Sequence, residues 1–204
     1  KQYLLLSDEE ARQVAQWPIV VAHKWVSISI TTPLLFFDGS DELVPMDIPM
    51  GSRLPKESRI TLAGRTIEHS QAPFKESLAP SFDVAFKMLN APYLWGGKTG
   101  MGIDCSGFTQ TVYRVYGRII PRDASQQALI GSPVPRLEDT QRGDLLFFAN
   151  DQGRITHVAI KFGPDTVIHA SGKVRIDHID TTGIFNKEEQ QYTHKLHSIR
   201  RILD

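Results

Sequence analysis

Cys105 is the single cysteine in a chain of 204 residues. It sits in Ile103-Asp104-Cys105-Ser106-Gly107-Phe108, shortly after Tyr93-Leu94-Trp95-Gly96-Gly97, at the mouth of a predicted helix. A thiolate is a strong nucleophile, but a free thiol near pKa 8.5 is mostly protonated at neutral pH. Activation therefore takes a helix N-terminus, a histidine, or both. Cys105 has the first by position. His157 and His169 follow, each inside an apolar segment that reads as a strand, and either could supply the second. A lone cysteine is more often a small buried hydrophobe. Gly96, Gly97, Gly100, Gly102 and Gly107 weigh against that reading here, because glycine so dense implies backbone approaching itself or a ligand closely. Asp104 is placed to cap the helix, although its charge opposes thiolate formation. Either it points away from the sulfur or a cation occupies it.

The two histidines depend on a turn. Residues 155–162 put Val158, Ile160 and Phe162 on one face and His157 with Ala159 on the other, and His169 shares its face with Val167. If Gly163-Pro164-Asp165 is a three-residue hairpin loop, Ala159 lies opposite His169, and His157 is its diagonal neighbour on the same face. A four-residue loop without a bulge would send the rings to opposite faces. In the first geometry His157 is a general base and His169 fixes its tautomer. His23, His69, His178, His194 and His197 read as background. There is no His-Glu-x-x-His and no cysteine pair, so no metal site and no cofactor is expected, and no phosphate-binding glycine loop is present.

The elements that must carry these residues fall into two groups. Ser7-Asp8-Glu9-Glu10 matches a capping box and opens a short helix that ends at Trp17-Pro18. Between residues 25 and 67 the chain has brief β-prone runs, among them 25–30 and 34–37, broken by Asp38-Gly39, Pro45, Pro49, Gly51, Pro55 and Gly64. This pattern predicts a small β-barrel. Residues 69–80 have no periodicity and two prolines, as a linker would. Ser81 then reads as the N-cap of a helix with Phe82, Ala85, Phe86 and Leu89 on its buried face. A second helix, from about Ser106, carries Phe108, Val112 and Val115 on one stripe and ends at Gly117. Strands follow at 144–148, 155–162, 167–170 and 198–203. Helices first and an antiparallel sheet afterwards make an α+β fold, with a domain 1–75 ahead of a domain 76–204.

Bulk properties exclude some partners. Lys plus Arg equals Asp plus Glu at 23 each, so there is no basic surplus for phosphates or anionic lipid, and nucleic acid is not expected as a partner. No apolar run approaches the roughly 20 residues that cross a bilayer, so no membrane insertion is expected. With one cysteine no internal disulfide can form, and the redox compartment is unreadable from pairing. The chain starts at Lys1 rather than methionine, which reads as a mature form or a fragment.

Taken in order, Pro92 to Gly97, Asp104-Cys105-Ser106-Gly107-Phe108, Pro121-Arg122-Asp123-Ala124-Ser125-Gln126, Arg142-Gly143-Asp144, His157-Val158-Ala159-Ile160 and Ile168-His169-Ala170-Ser171 resemble the NlpC-type cell-wall peptidases. The resemblance covers residues 81 to about 200. It implies a papain-like fold, with Cys105 as nucleophile, His157 as base and His169 as the polar residue that orients it. The Asp-Cys-Ser core and the Tyr93-Leu94-Trp95 run are similar to γ-D-glutamyl-diamino-acid endopeptidases, which release L-Ala-γ-D-Glu from peptidoglycan stem peptides with a free N-terminus. By that resemblance Asp104 and Ser106 bind the alanine end, Tyr93 lines the site near the oxyanion, and Trp95 and Arg122 shape the groove. The substrate ammonium would then be the cation beside Asp104. Residues 19–70, with Pro49-Met50-Gly51-Ser52-Arg53-Leu54-Pro55, resemble a bacterial SH3 module. The resemblance implies the bacterial envelope or secretion, or a cytoplasmic place in wall-peptide recycling. Two other readings are a wall-peptide-binding module without turnover, and an endopeptidase, amidase or acyltransferase on intact murein or lipid. The complete set of Cys105, His157 and His169 argues against the first, since a binder needs no nucleophile.

Overall fold

The structure, a computed structural model, describes residues 7–9, 11–12, 19–21, 26–33, 41–55, 57–62, 65–69 and 82–203. The expected helix end at Trp17-Pro18, the 34–37 run, Asp38-Gly39, Gly64, the linker beyond His69 and Ser81 lie outside them, as does Glu10 of the capping box. The chain divides into two compact units, Lys1–Lys75 and Glu76–Asp204.

In the first unit Asp8, Glu9, Ala11 and Arg12 are helical, and the other described elements are antiparallel strands. β1 (Ile19–Val21) pairs with β4 (Arg53–Pro55), and a four-stranded sheet runs in the order β3 (Asp41–Ile48), β2 (Val26–Pro33), β6 (Arg65–His69), β5 (Arg59–Leu62). Pro45, read from sequence as a break, lies inside β3 opposite Ser29. β3 is an edge strand, and an edge tolerates proline where the missing N–H would face away from the sheet.

The second unit opens with a tighter helix than the spacing of its apolar residues predicts. Residues 83–88 form a 3₁₀ helix (Asp83–Met88), preceded by Phe82 in the left-handed conformation at φ 56°. Three residues per turn eclipse i with i+3, so Phe82, Ala85 and Met88 are buried while Phe86 is 40% exposed. An α-helical face would have buried Phe86 as well. The short pair β7 (Lys98–Thr99) and β8 (Gly102–Ile103) follows, then α1 (Cys105–Val115) and a single turn α2 (Ala124–Gln127). α1 ends in a Schellman motif: Arg118 N–H donates to Tyr113 O and Gly117 N–H to Arg114 O, both at 3.0 Å, with Gly117 at φ +73°. Phe108, Val112 and Val115 are buried as expected, but so is nearly the whole circumference of the helix. Two of its buried polar residues donate inside: Thr109 Oγ1 to Gln127 Oε1 (2.8 Å) and Gln110 Nε2 to Ile120 O (2.8 Å), while Gln110 Oε1 is buried without a partner among the described residues.

Seven antiparallel strands complete the unit: β9 (Ser132–Pro133), β10 (Leu145–Ala149), β11 (Ile155–Gly163), β12 (Thr166–Ser171), β13 (Lys173–Ile179), β14 (Gly183–Asn186) and β15 (Gln191–Arg201). β10 to β15 pair in sequence, and β15 also pairs with β10, so the sheet closes on itself, with β9 added beside β15. Leu146, Phe148, Ala159, Val167, Ile179, Ile184 and Ile199 fill the interior. On the other face, Leu145, Phe147, Val158, Ile160 and Ile168 are fully buried, and α1 packs against β11 and β12. Asp144, buried just before β10, accepts from Arg201 Nε (2.9 Å) and Nη2 (2.7 Å), which ties the end of β15 to the start of β10. The Arg142-Gly143-Asp144 motif is thus a structural junction, with Arg142 paired to Asp83 and stacked over Phe162.

Candidate active site

Cys105 is the first residue of α1, and Asp104 is its N-cap. Asp104 Oδ1 accepts from Gly107 N–H at 2.7 Å, a cap worth about 1 kcal/mol. The glycines answer to backbone contact. A Cβ on Gly97 would stand 2.3 Å from Gly102 O, and one on Gly107 would stand 2.4 Å from Gly97 O. The loop before the thiol therefore lies directly on the helix start.

The cation required beside Asp104 is Arg122, within the chain. Arg122 Nη1 donates to Asp104 Oδ1 at 3.0 Å and Nη2 to Oδ2, while Gly96 N–H donates to Oδ2 at 2.8 Å. Burial works against ionisation of Asp104, but the hydrogen bonds from Arg122, Gly107 and Gly96 outweigh it and hold the carboxyl below its usual range. These four donors fill the roughly four acceptor positions of a carboxylate. The charge of Asp104 is thus compensated within the chain, by a cation as one of the two readings of its place beside the thiol required. Arg122 also donates to Ser106 Oγ at 2.8 Å. It is held in turn by Gln127, whose Nε2 donates to Pro121 O (2.8 Å) and Ser106 O (3.1 Å).

The turn between the histidine strands has two loop residues, Pro164 and Asp165, together with a bulge at Phe162. The bulge restores the count that a three-residue loop would have given, so Ile160 lies opposite Ile168, and both rings share the inner face. His157 Nε2 lies 2.8 Å from His169 Nδ1, and His169 Nε2 lies 3.0 Å from Asp177 Oδ2. Arg175 Nη2 donates to Asp177 Oδ1 at 3.0 Å. Burial opposes ionisation of Asp177, but its bonds with His169 and Arg175 prevail and keep its pKa low.

These contacts fix the tautomers. An ionised Asp177 only accepts, so His169 carries its proton on Nε2 and presents a bare Nδ1. His157 must then donate from Nε2, which leaves the Nδ1 lone pair as its proton acceptor. Burial, then His194 and His169, push His157 well below its ordinary pKa, so the ring is neutral and able to accept. Burial also raises the Cys105 thiol, against the lowering effect of the Val158, Ser106 and Cys105 amides. Burial of both groups favours the uncharged thiol and imidazole at rest. The amide of Val158, the neighbour of His157, reaches the sulfur and brings strand and helix together at this point.

Cys105 (6% exposed), Asp104, Ser106, Arg122 and Trp95 (84% exposed) border one cavity of about 700 Å³. Its far wall, missed from sequence, is Asn150, Arg154, Ile155 and Thr156. Tyr93 stands beside this set; burial first, then the charges of Cys105 and Asp104, raise its phenol pKa and keep it a donor. Asp177 and His194 were also missed. Asp177 lies on β13, a strand not foreseen, and His194 was read as background, yet its ring centroid stands 4.0 Å from that of His157. Among the described residues no group of three or more His, Cys, Asp or Glu side chains is placed to hold a metal ion.

Three neutral imidazoles have a consequence for stability. His157, His169 and His194 all have depressed pKa values, mainly through burial, with His194 pushed to about 4. Below the ordinary histidine value near 6.5 the unfolded chain binds protons that the folded chain refuses, so stability is lost as pH falls through this range towards about 4. Calorimetry should show Tm falling steadily between about pH 6.5 and 4.5. A flat Tm would mean that the rings charge as freely inside as outside.

A thiol at the start of a helix that packs against the histidine-bearing strands of an antiparallel sheet is in keeping with a papain-like fold. The NlpC/P60 family model matches residues 90–197, and the chain belongs to this family of cell-wall peptidases. A gamma-D-glutamyl-L-lysine dipeptidyl-peptidase of Bacillus cereus is 34% identical over 181 residues, 78% of this chain and 54% of the relative. One of Bacillus subtilis is 48% identical over 84 residues, 40% of this chain and 28% of the relative. The chain thus spans about half or less of the length of these relatives. The crystal structure of an NlpC/P60 family protein from Bacillus cereus superposes with a TM-score of 0.76 at 28% identity, covering 98% of this chain and 67% of that one.

Proposed function

We propose that this chain is a thiol peptidase that cleaves the γ-D-glutamyl-diamino acid bond of peptidoglycan stem peptides with a free N-terminal L-Ala. The observation that carries the reaction is the relay from Asp177 through His169, which leaves His157 with a bare Nδ1 on the strand next to Cys105. As the sulfur attacks the γ-carbonyl, its proton passes to His157 Nδ1. The Cys105 amide at the helix start and the Tyr93 hydroxyl face the developing oxyanion. The tetrahedral intermediate collapses with the proton delivered to the departing amine, leaving a thioester. Water, deprotonated by His157, then releases the dipeptide and restores the thiol.

Substrate choice rests on the relatives' names and on the charges of the cavity. A γ-linked glutamyl residue keeps a free α-carboxylate. Arg154, exposed on the cavity wall and without a side-chain partner among the described residues, supplies a cation for it beside Arg122. Asp104, held by Arg122, and Ser106 line the same cavity, and in this reading they take the ammonium of the free N-terminal alanine while Trp95 and Arg122 shape the groove. The N-terminal strands fit an SH3-like wall-binding module.

Incubation with L-Ala-γ-D-Glu-L-Lys and with the meso-diaminopimelate tripeptide should yield L-Ala-γ-D-Glu by mass spectrometry. Iodoacetamide treatment should abolish the product. Intact peptides with the thiol kept reduced would favour a binding module. Equal cleavage of N-acetylated tripeptide would indicate an endopeptidase acting on substituted wall peptides.

A further inference from the structure

His157 is enclosed by rings on three sides. Phe148 on β10 lies with its centroid at 5.7 Å, tilted by 49°, and His169 on β12 lies at 5.0 Å, edge-on at 84°. His194 on β15 covers the remaining face at 4.0 Å, its plane tilted by 31°, while itself lying edge-on to Phe148 at 5.9 Å. The other groups acting on His194 are Thr193, whose Oγ1 is 2.8 Å from His194 Nδ1, His169, 5.8 Å away ring to ring, and the Asp177 carboxylate, whose charge favours the protonated ring but is outweighed by burial and His169. A hydrogen bond through Nε2 alone leaves an imidazole free to swing about that bond. A ring in contact with its face at 4.0 Å blocks the swing on that side. The ring must also be uncharged, because a second imidazolium at this distance would repel the one formed when His157 takes the thiol proton.

We propose that His194 is a positioning residue for the reaction, a neutral plate stacked on His157 that holds its Nδ1 lone pair toward the Cys105 sulfur. It rests on the thiol peptidase reading above. The low pKa of His194, set first by burial and then by His169, agrees with the neutral state that the role needs. Since the ring acts through its face, a phenyl group can replace it.

The test compares His194→Ala with His194→Phe in the whole chain. His194→Ala should lower kcat about tenfold, the effect of losing about 1.4 kcal/mol of orientation, with KM within about twofold of the unchanged protein. His194→Phe should restore kcat to within about threefold. The rate of Cys105 alkylation by iodoacetamide at pH 7 should follow the same order, and it needs no substrate. If the alkylation order holds while the glutamyl peptides stay intact, the inference stands and the substrate reading fails. An unchanged kcat and alkylation rate in a folded His194→Ala protein would overturn the inference. So would a His194→Phe protein as impaired as His194→Ala, because the contact would then be more than a stacked face.

Discussion

Replacing Cys105 with alanine is expected to remove hydrolysis altogether, a loss on the order of 10⁴-fold or more, since members of such a unit act together and not by additive shares. The fold should hardly register the change. The thiol is buried at the start of α1 with its surroundings already satisfied by Asp104 and the helix amides, so loss of one sulfur atom should cost no more than about 1 kcal/mol. Calorimetry alongside a dipeptide-release assay separates the two effects. Residual turnover within tenfold of the unchanged protein would exclude covalent catalysis by this thiol.

The relay behind His157 gives the second large effect, and the order within a series is its test. His157→Ala removes the proton acceptor and should approach the loss seen for the thiol. Asp177→Asn is expected to be nearly as severe for a different reason. With its amide oxygen turned to Arg175, the asparagine offers N–H to His169 Nε2. The proton of His169 then moves to Nδ1, and His157 is forced to carry its own on the nitrogen that should accept. A wrong tautomer of this kind costs on the order of 10³ to 10⁴ in kcat in serine-protease triads. His169→Gln, whose carbonyl can still accept from His157 Nε2, should retain measurable activity. If Asp177→Asn were fully active and His169→Gln dead, the proton assignment along the chain would be wrong.

The parts of this site that could be read from sequence are those set by local rules. A capping aspartate, a helix with three apolar residues on one stripe and the pairing of two strands across a short turn all follow from spacing, and each placed a residue that matters: Asp104, Cys105, and the pair His157 and His169. What escaped depends on non-local pairing. β15 looks polar because its inner-facing residues, His194, Leu196 and Ile199, are not evenly spaced, and a bulge opposite Phe147 and Phe148 shifts the phase between Leu196 and Ile199. β13 is hidden because one of its faces carries Arg175 and Asp177, whose charges are compensated by each other and by His169 on β12 and Glu188 beyond β14. The pairing of Asp104 with Arg122 is hidden from sequence for a similar reason. Nothing local to Arg122 shows that Gln127 and the end of α1 turn it back on the residue before the thiol.

Closure of the barrel by β15 bears on when the protein can act. The strand that completes the sheet beside β10 also brings His194 to the face of His157, and Arg201 to Asp144. During synthesis Cys105 and both relay histidines leave the ribosome well before this strand, and domains settle as whole units. A nascent chain lacking residues 191–201 would hold the nucleophile and its base but neither the seam nor the stacked ring. The stacked ring and the seam would then form only as β15 docks, after the nucleophile and its base are already in the chain.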